Sequence, residues 1–318
     1  MARISTESLS AGARAAAEDA AARLRNFAAE FGAEDAPLAA TFLRAESAAS
    51  AAIAGLEADA RQTGLAALGL SAPADARAAA SVLAATTLAF AEGVDSVAAV
   101  HELLDPGGDD DVPLPELSVD GLASIALAHA RLATGRPFFL GNARTARAML
   151  PAQLRAAALS GAVPLPLSAG LLADVTGYRA AMAQFGAGDG DAIVLVFARA
   201  ALVAIENARE LATALAITLD GWEAAMVGVR SHASSRDLVA FVLQQPAIDA
   251  RVTVPALGVT LAAAYTAIET LVERGILVSR GPERRNRAWF APAVLDAVDG
   301  FVERARRGTD AAEALSVD

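Results

Sequence analysis

The chain has 318 residues, 55% hydrophobic but only 5% aromatic, and the excess is mostly alanine. That mix favours packed helices, and at roughly 150 residues per domain the length suggests about two domains. Twenty-six basic residues, all arginine, against 37 acidic ones leave a net charge of −11. This excludes a generally basic nucleic-acid or membrane binder. The lack of lysine and cysteine excludes Schiff-base and thiol chemistry, disulfides and thiolate metal sites.

In chain order, residues 8–31 show helical spacing, with Leu24, Phe27 and Phe31 on one face. Pro37 introduces a second helix over about 38–60, and further helices are expected at 73–91 and 94–104. The stretch 107–118, GGDDDVPLPELS, reads as a loop. A helix over 119–133 leads into Gly135-Arg136-Pro137, and another follows over 143–159. GAVPLPLSAG, 161–170, carries two prolines and a glycine at each end and reads as non-helical. Helices resume at 171–184, 190–215 and 218–230. The apolar run 192–205 is broken by Arg199 and too short for a bilayer, so it reads as a buried helix. With no apolar leader at the N-terminus, a cytoplasmic protein without a membrane partner is expected. Around Ser231–Ser235 the pattern resets. Helices at 236–245, 253–257 and 260–274, a turn at Gly258, β-like LVSR and RAWF, and a last helix over 292–307 follow. Two short helices, a longer one and an arginine-tipped hairpin are the order of a winged helix-turn-helix.

The informative stretch is Arg136-Pro-Phe-Phe-Leu-Gly-Asn-Ala-Arg-Thr-Ala-Arg147. It resembles the signature of the Fic (Fido-fold) family, H-P-F-x-[D/E]-G-N-G-R-x-x-R. Six of the nine specified positions match: Pro137, Phe138, Gly141, Asn142, Arg144 and Arg147. LASIALAHARLATG before it, VPLPLSAGLLADVTGYRAAM after it, and TAIETLVERGIL with RRNRAWFAPAVL near the end resemble flanking family segments. FLRAESAASAAIAGLEADAR resembles the helix with the family's inhibitory S-x-x-I-E-G element. The resemblance covers roughly 38–305 and implies a mainly α architecture. An N-terminal helical extension would span 1–37, a Fic-like (Fido) domain 38–232, a winged helix-turn-helix domain 233–307 and a tail 308–318.

The resemblance implies AMP transfer from ATP to a protein hydroxyl, with the motif histidine as base, the acidic residue holding Mg²⁺ and the loop cradling phosphates. Here the base position is Arg136, whose guanidinium stays protonated, and the metal position is Leu140, which offers no oxygen. Ala143 replaces the second loop glycine. Losing a base alone costs on the order of 10²–10⁴ in rate, so AMP transfer by this route and Mg²⁺ binding are not expected. The inhibitory glutamate is Ala54, which would leave Arg147 without its family partner. A flap that relatives carry between the helix matching 94–104 and the motif helix is reduced to the loop 105–118. Of the three histidines, His129 reads as a buried structural residue, and His101 and His232 show no catalytic pattern.

Three readings follow. The first is a non-transferring Fic-like protein that binds ATP or another phosphate ligand through Gly141, Asn142, Arg144 and Arg147, or acts as a regulator; loops that feed helix starts and carry arginines suit anions. The second is a winged-helix DNA-binding regulator. Thr260, Tyr265 and Thr266 would lie on its recognition helix, and Arg280, Arg284, Arg285 and Arg287 on its wing, where four arginines against Glu283 give a local +3 suited to phosphates. It would need a homodimer for useful affinity, and its bland counterpart is a winged helix used for protein contacts. The third is a residual nucleotidyl or phosphoryl transferase.

Overall fold

A computed structural model describes residues 4–106, 117, 120–230, 233–280 and 287–315, with side chains to residue 308. The expected loop 107–118, apart from Leu117, lies outside the described residues, as do His232, Arg284, Arg285 and the last three residues. The architecture is mainly α with one small sheet.

Helix α1 (Ala11–Ala28) starts where the Ser10 side chain accepts from the Ala13 N–H, and buries Ala13, Ala17, Ala20, Leu24 and Phe27 at helical spacing. A short 3-10 turn, Ala33–Leu38, accommodates Pro37 and leads into α2 (Ala39–Ile53). The expected 38–60 helix stops early because Gly55 takes φ +76, and a separate α3 (Ala60–Ala67) is capped by Asp59. Next come α4 (Ala74–Glu92) and α5 (Val97–Leu104), then α6 (Leu122–Gly135).

The expected 143–159 helix is two pieces, α7 (Asn142–Ala148) and α8 (Leu150–Ala156), because Pro151 at the start of α8 has no N–H to continue the ladder. The expected non-helical 161–170 is half wrong. Pro166 precedes a short α9 (Leu167–Leu172), a position where proline ends nothing. Within α9, a Cβ on Gly170 would lie 1.9 Å from the Ala200 carbonyl oxygen, so glycine is what permits this helix crossing.

Helix α10 (Val175–Gly186) is followed by α11 (Asp191–Ala225), one 35-residue helix where two were expected. It contains no proline, and its only glycine, Gly221, is exposed. Helices α1, α6, α9 and α10 pack on α11, and residues of all five join one hydrophobic cluster.

The remainder runs α12 (Ser234–Gln244), β1 (Ala247–Ile248), α13 (Ala250–Leu257), α14 (Leu261–Glu273), β2 (Val278–Ser279), β3 (Trp289–Phe290) and α15 (Pro292–Leu315). The strands form an antiparallel sheet of order β1-β3-β2, with Phe290 opposite both Ala247 and Val278. Strand β1 was not anticipated, since two residues show no periodicity. Helix α15 returns to α2 and α11, where Asn207 Nδ2 donates to the Phe301 carbonyl and Arg304 pairs with Glu210 at 3.0 Å.

Candidate functional site

The loop between α6 and α7 is built from inside outward. Phe138 is buried and stacks flat on His101 of α5, with ring centroids 3.6 Å apart and planes 8° apart. His101 Nδ1 lies 3.1 Å from the Thr145 hydroxyl, which reaches back to the Gly141 carbonyl at 3.2 Å. With the hydroxyl donating to that carbonyl, the histidine is assigned the Nδ1–H tautomer. Gly141 takes φ +75 at the start of α7, a conformation that favours glycine. Asn142 then closes the loop on itself: its Oδ1 accepts from the Phe138 N–H at 3.0 Å and its Nδ2 donates to the Phe138 carbonyl at 2.8 Å.

Arg147 points away from the loop surface. It is 2% exposed, and its Nε donates to the Ser50 hydroxyl at 2.9 Å and its guanidinium to the Ser50 carbonyl at 3.2 Å. With alanine at 54, Arg147 lacks the partner that the resemblance implies, but its guanidinium does not go unpaired. Ser50, one turn earlier on α2, takes that place, while Ala54 caps α2 at an exposed position.

Beside this contact lies Glu46, buried and missed in the sequence. It accepts from the Ser168 N–H at 2.8 Å and from the Ser168 hydroxyl. Burial pushes its carboxyl up to about 7, against the opposing pull of the Ser168 bonds and of the Arg147 charge. The signal that could have found it is a lone acid four residues before Ser50 on an otherwise small-residue face. His129 is also buried. Its Nε2 lies 2.8 Å from the Tyr178 hydroxyl and its ring packs on Phe197 at 5.0 Å. Burial first, and the Arg147 charge second, push its imidazole down to about 3, so it stays neutral.

The outer side differs. Arg136 ends α6 in the left-handed region at φ 52, a conformation that costs a non-glycine residue about 1 kcal/mol or more, and it is exposed. Phe139 is 84% and Leu140 56% exposed. Ala143 is exposed and Arg144 partly so. Thus Gly141, Asn142 and Arg144 lie together where the loop enters α7, but Asn142 is committed to the backbone and Arg147 belongs to the core below it. Among the described residues, no three histidine, cysteine or carboxylate side chains converge as a metal site.

In the C-terminal part, Thr260 caps α14 by accepting from the Ala263 N–H at 3.3 Å, and the exposed Thr266 donates to the Ala262 carbonyl. Tyr265 packs edge-on against Trp289 at 5.9 Å, and the Arg287 guanidinium lies 4.9 Å over Trp289 and 5.9 Å over Tyr265. The exposed positions of α14 include Glu269, Val272 and Glu273. Arg280 is exposed on the hairpin, where its N–H donates to the Ala288 carbonyl at 2.8 Å. Arg284 and Arg285 are not among the described residues. No described helix is by itself long and apolar enough to cross a membrane.

No protein-family model and no curated protein matches the chain. Among solved structures, a Fic family protein from Desulfovibrio desulfuricans G20 aligns at 16% identity with a TM-score of 0.49, covering 87% of this chain and 95% of that one.

Proposed function

We propose that this chain is a Fic-like protein that has given up AMP transfer and acts as a regulatory binding protein. One observation carries the reading. The three departures from the Fic signature, Arg136, Leu140 and Ala143, all lie at exposed positions of the loop, where chemistry on a bound nucleotide would take place. The base position holds a cation that cannot accept a proton, and the metal position holds an apolar side chain. No nearby histidine replaces the base: His129 is buried against Tyr178, and His101 is buried under Phe138 and Thr145.

The phosphate-ligand form of this reading narrows to Arg144 and the backbone at Gly141, since Asn142 and Arg147 already spend their polar atoms on Phe138 and Ser50. A nucleotide held by one partly exposed arginine binds weakly and releases with salt. The experiment is paired. Calorimetry with ATP, ADP and AMP is expected to give no affinity tighter than millimolar. Intact-mass measurement after incubation with ATP, Mg²⁺ and cell lysate is expected to show no added AMP on this chain or on a target. Micromolar ATP binding would restore the nucleotide-binding form of the reading, and any AMP adduct would return the chain to the transferases. The Arg136→His, Leu140→Asp double variant is the control, since it restores the two groups that the chemistry lacks.

A further inference from the structure

The same loop presents a feature that neither phosphate binding nor AMP transfer uses. Phe139 and Leu140 are adjacent, large, apolar and exposed. They do not dangle: the Asn142 clasp on Phe138 and the His101 stack hold the backbone that carries them, so little ordering remains for a partner to impose. Arg136 and Arg144 flank the pair. Neither makes an ion pair or a side-chain hydrogen bond among the described residues, although the chain carries an acidic excess of 11 charges. An apolar knob between two unpaired cations fits an apolar pocket with carboxylates at its mouth.

The chain itself carries such a pocket. Between the Ala33–Leu38 turn, the end of α11 and α12 lies a cleft of about 360 Å³. Leu219, Trp222, Met226 and Val239 are among its lining, and Glu34, Asp35 and Glu223 are carboxylates on it. Glu34 and Glu223 have no cation partner among the described residues, and Asp35 accepts from the Gly32 N–H. Arg236 also lines the cleft, but its guanidinium is turned onto the Met226 and Val229 carbonyls. A chain does not readily fill its own cleft. The knob lies between α6 and α7, whereas the cleft is lined by the Ala33–Leu38 turn, the end of α11 and α12.

We propose that the Phe139–Leu140 knob of one copy seats in the Trp222 cleft of a second copy, with Arg136 and Arg144 facing Glu34 and Glu223. The contact is heterologous, head to tail, so each copy offers one knob and one cleft and association continues beyond the dimer unless a ring closes. So small a patch gives weak, reversible association.

The test uses the full chain, with sedimentation velocity from low micromolar to near-millimolar protein. Mean mass is expected to rise past that of a dimer with concentration and to fall with added salt. Phe139→Glu destroys the knob, and the Glu34→Arg, Glu223→Arg double variant reverses the mouth of the cleft. All three positions are exposed, so the fold is expected to survive, and circular dichroism with a melting curve checks this. Each variant alone is expected to stay monomeric. An equimolar mixture is expected to give a dimer that grows no further, because only the intact knob of one and the intact cleft of the other can meet. A wild type that stays monomeric at every concentration overturns the proposal, as does association that survives in both variants. A monomeric wild type that cosediments with phosphatidylserine vesicles through Phe139 also overturns it and assigns the loop to a lipid surface.

Discussion

The two sides of the α6–α7 loop differ in what holds their side chains. On the inner side, Pro137, Phe138, Asn142 and Arg147 are all buried. They match the Fic signature, and each of the last three has a visible packing or hydrogen-bonding task. On the outer side, Arg136, Leu140 and Ala143 are all exposed, and all three depart from it. Four of the six matching positions are buried, Gly141 and Arg144 are partly exposed, and the three departures are all exposed. Packing and backbone hydrogen bonds alone account for the buried half of the motif, so matched residues are poor evidence of activity until their side chains are located.

This contrast is open to direct attack. The largest effect is expected for Arg147→Ala, which opens a cavity under α7 and strips Ser50 of its partner. The cost should be about 3–5 kcal/mol, whereas Arg144→Ala on the same short helix should change stability by less than about 0.5 kcal/mol. Urea unfolding of the two variants checks the pair, and equal costs would abolish the distinction between the sides.

Next is the pH dependence set by Glu46. The folded protein holds this proton more tightly than the unfolded chain, because burial lifts the carboxyl from about 4.5 to about 7. Its contribution to stability is therefore full at low pH, is lost as pH rises through about 7, and changes no further above that. Glu46→Gln removes the titration, so the stability difference between wild type and variant should change by on the order of 3 kcal/mol between pH 4 and pH 8. Comparison with the variant also cancels Asp299, which burial pushes up to about 6 with the same sign.

Asn142→Ala should cost about 1–3 kcal/mol, since it leaves the buried Phe138 N–H without its acceptor. Thermal melts are sufficient to see it. A further change of small size runs the other way. Arg136→Gly relieves a left-handed residue at an exposed position and should stabilise by up to about 1 kcal/mol, in contrast to every inner-side change.

Much of the fold was legible in the sequence because its signals are local. The helix from Thr260, the turn at Gly258 and the Leu24–Phe27 stripe as a buried face were all read from a few neighbouring residues. The misreadings have equally specific causes. Two prolines before Leu167 suggested a longer irregular segment than the structure has, because Pro166 ends just where α9 begins. The break expected at 216–217 holds neither glycine nor proline, and α11 runs on through it. Strand β1 exists only because Ala247 and Ile248 meet Phe290 and Trp289 from the far end of the chain.

By itself, the sequence determined which groups stand at these positions: a guanidinium at 136, an apolar side chain at 140, and a methyl at 54 at the end of α2. Chemical identity is a property of the residue and needs no coordinates. Only the tertiary structure decided where the surviving groups point. Arg147 meets Ser50 across 97 residues of chain, and Glu46 meets Ser168 across 122. The facing of a side chain depends on which helices pack around it, and that information is spread over the whole fold rather than written in the motif.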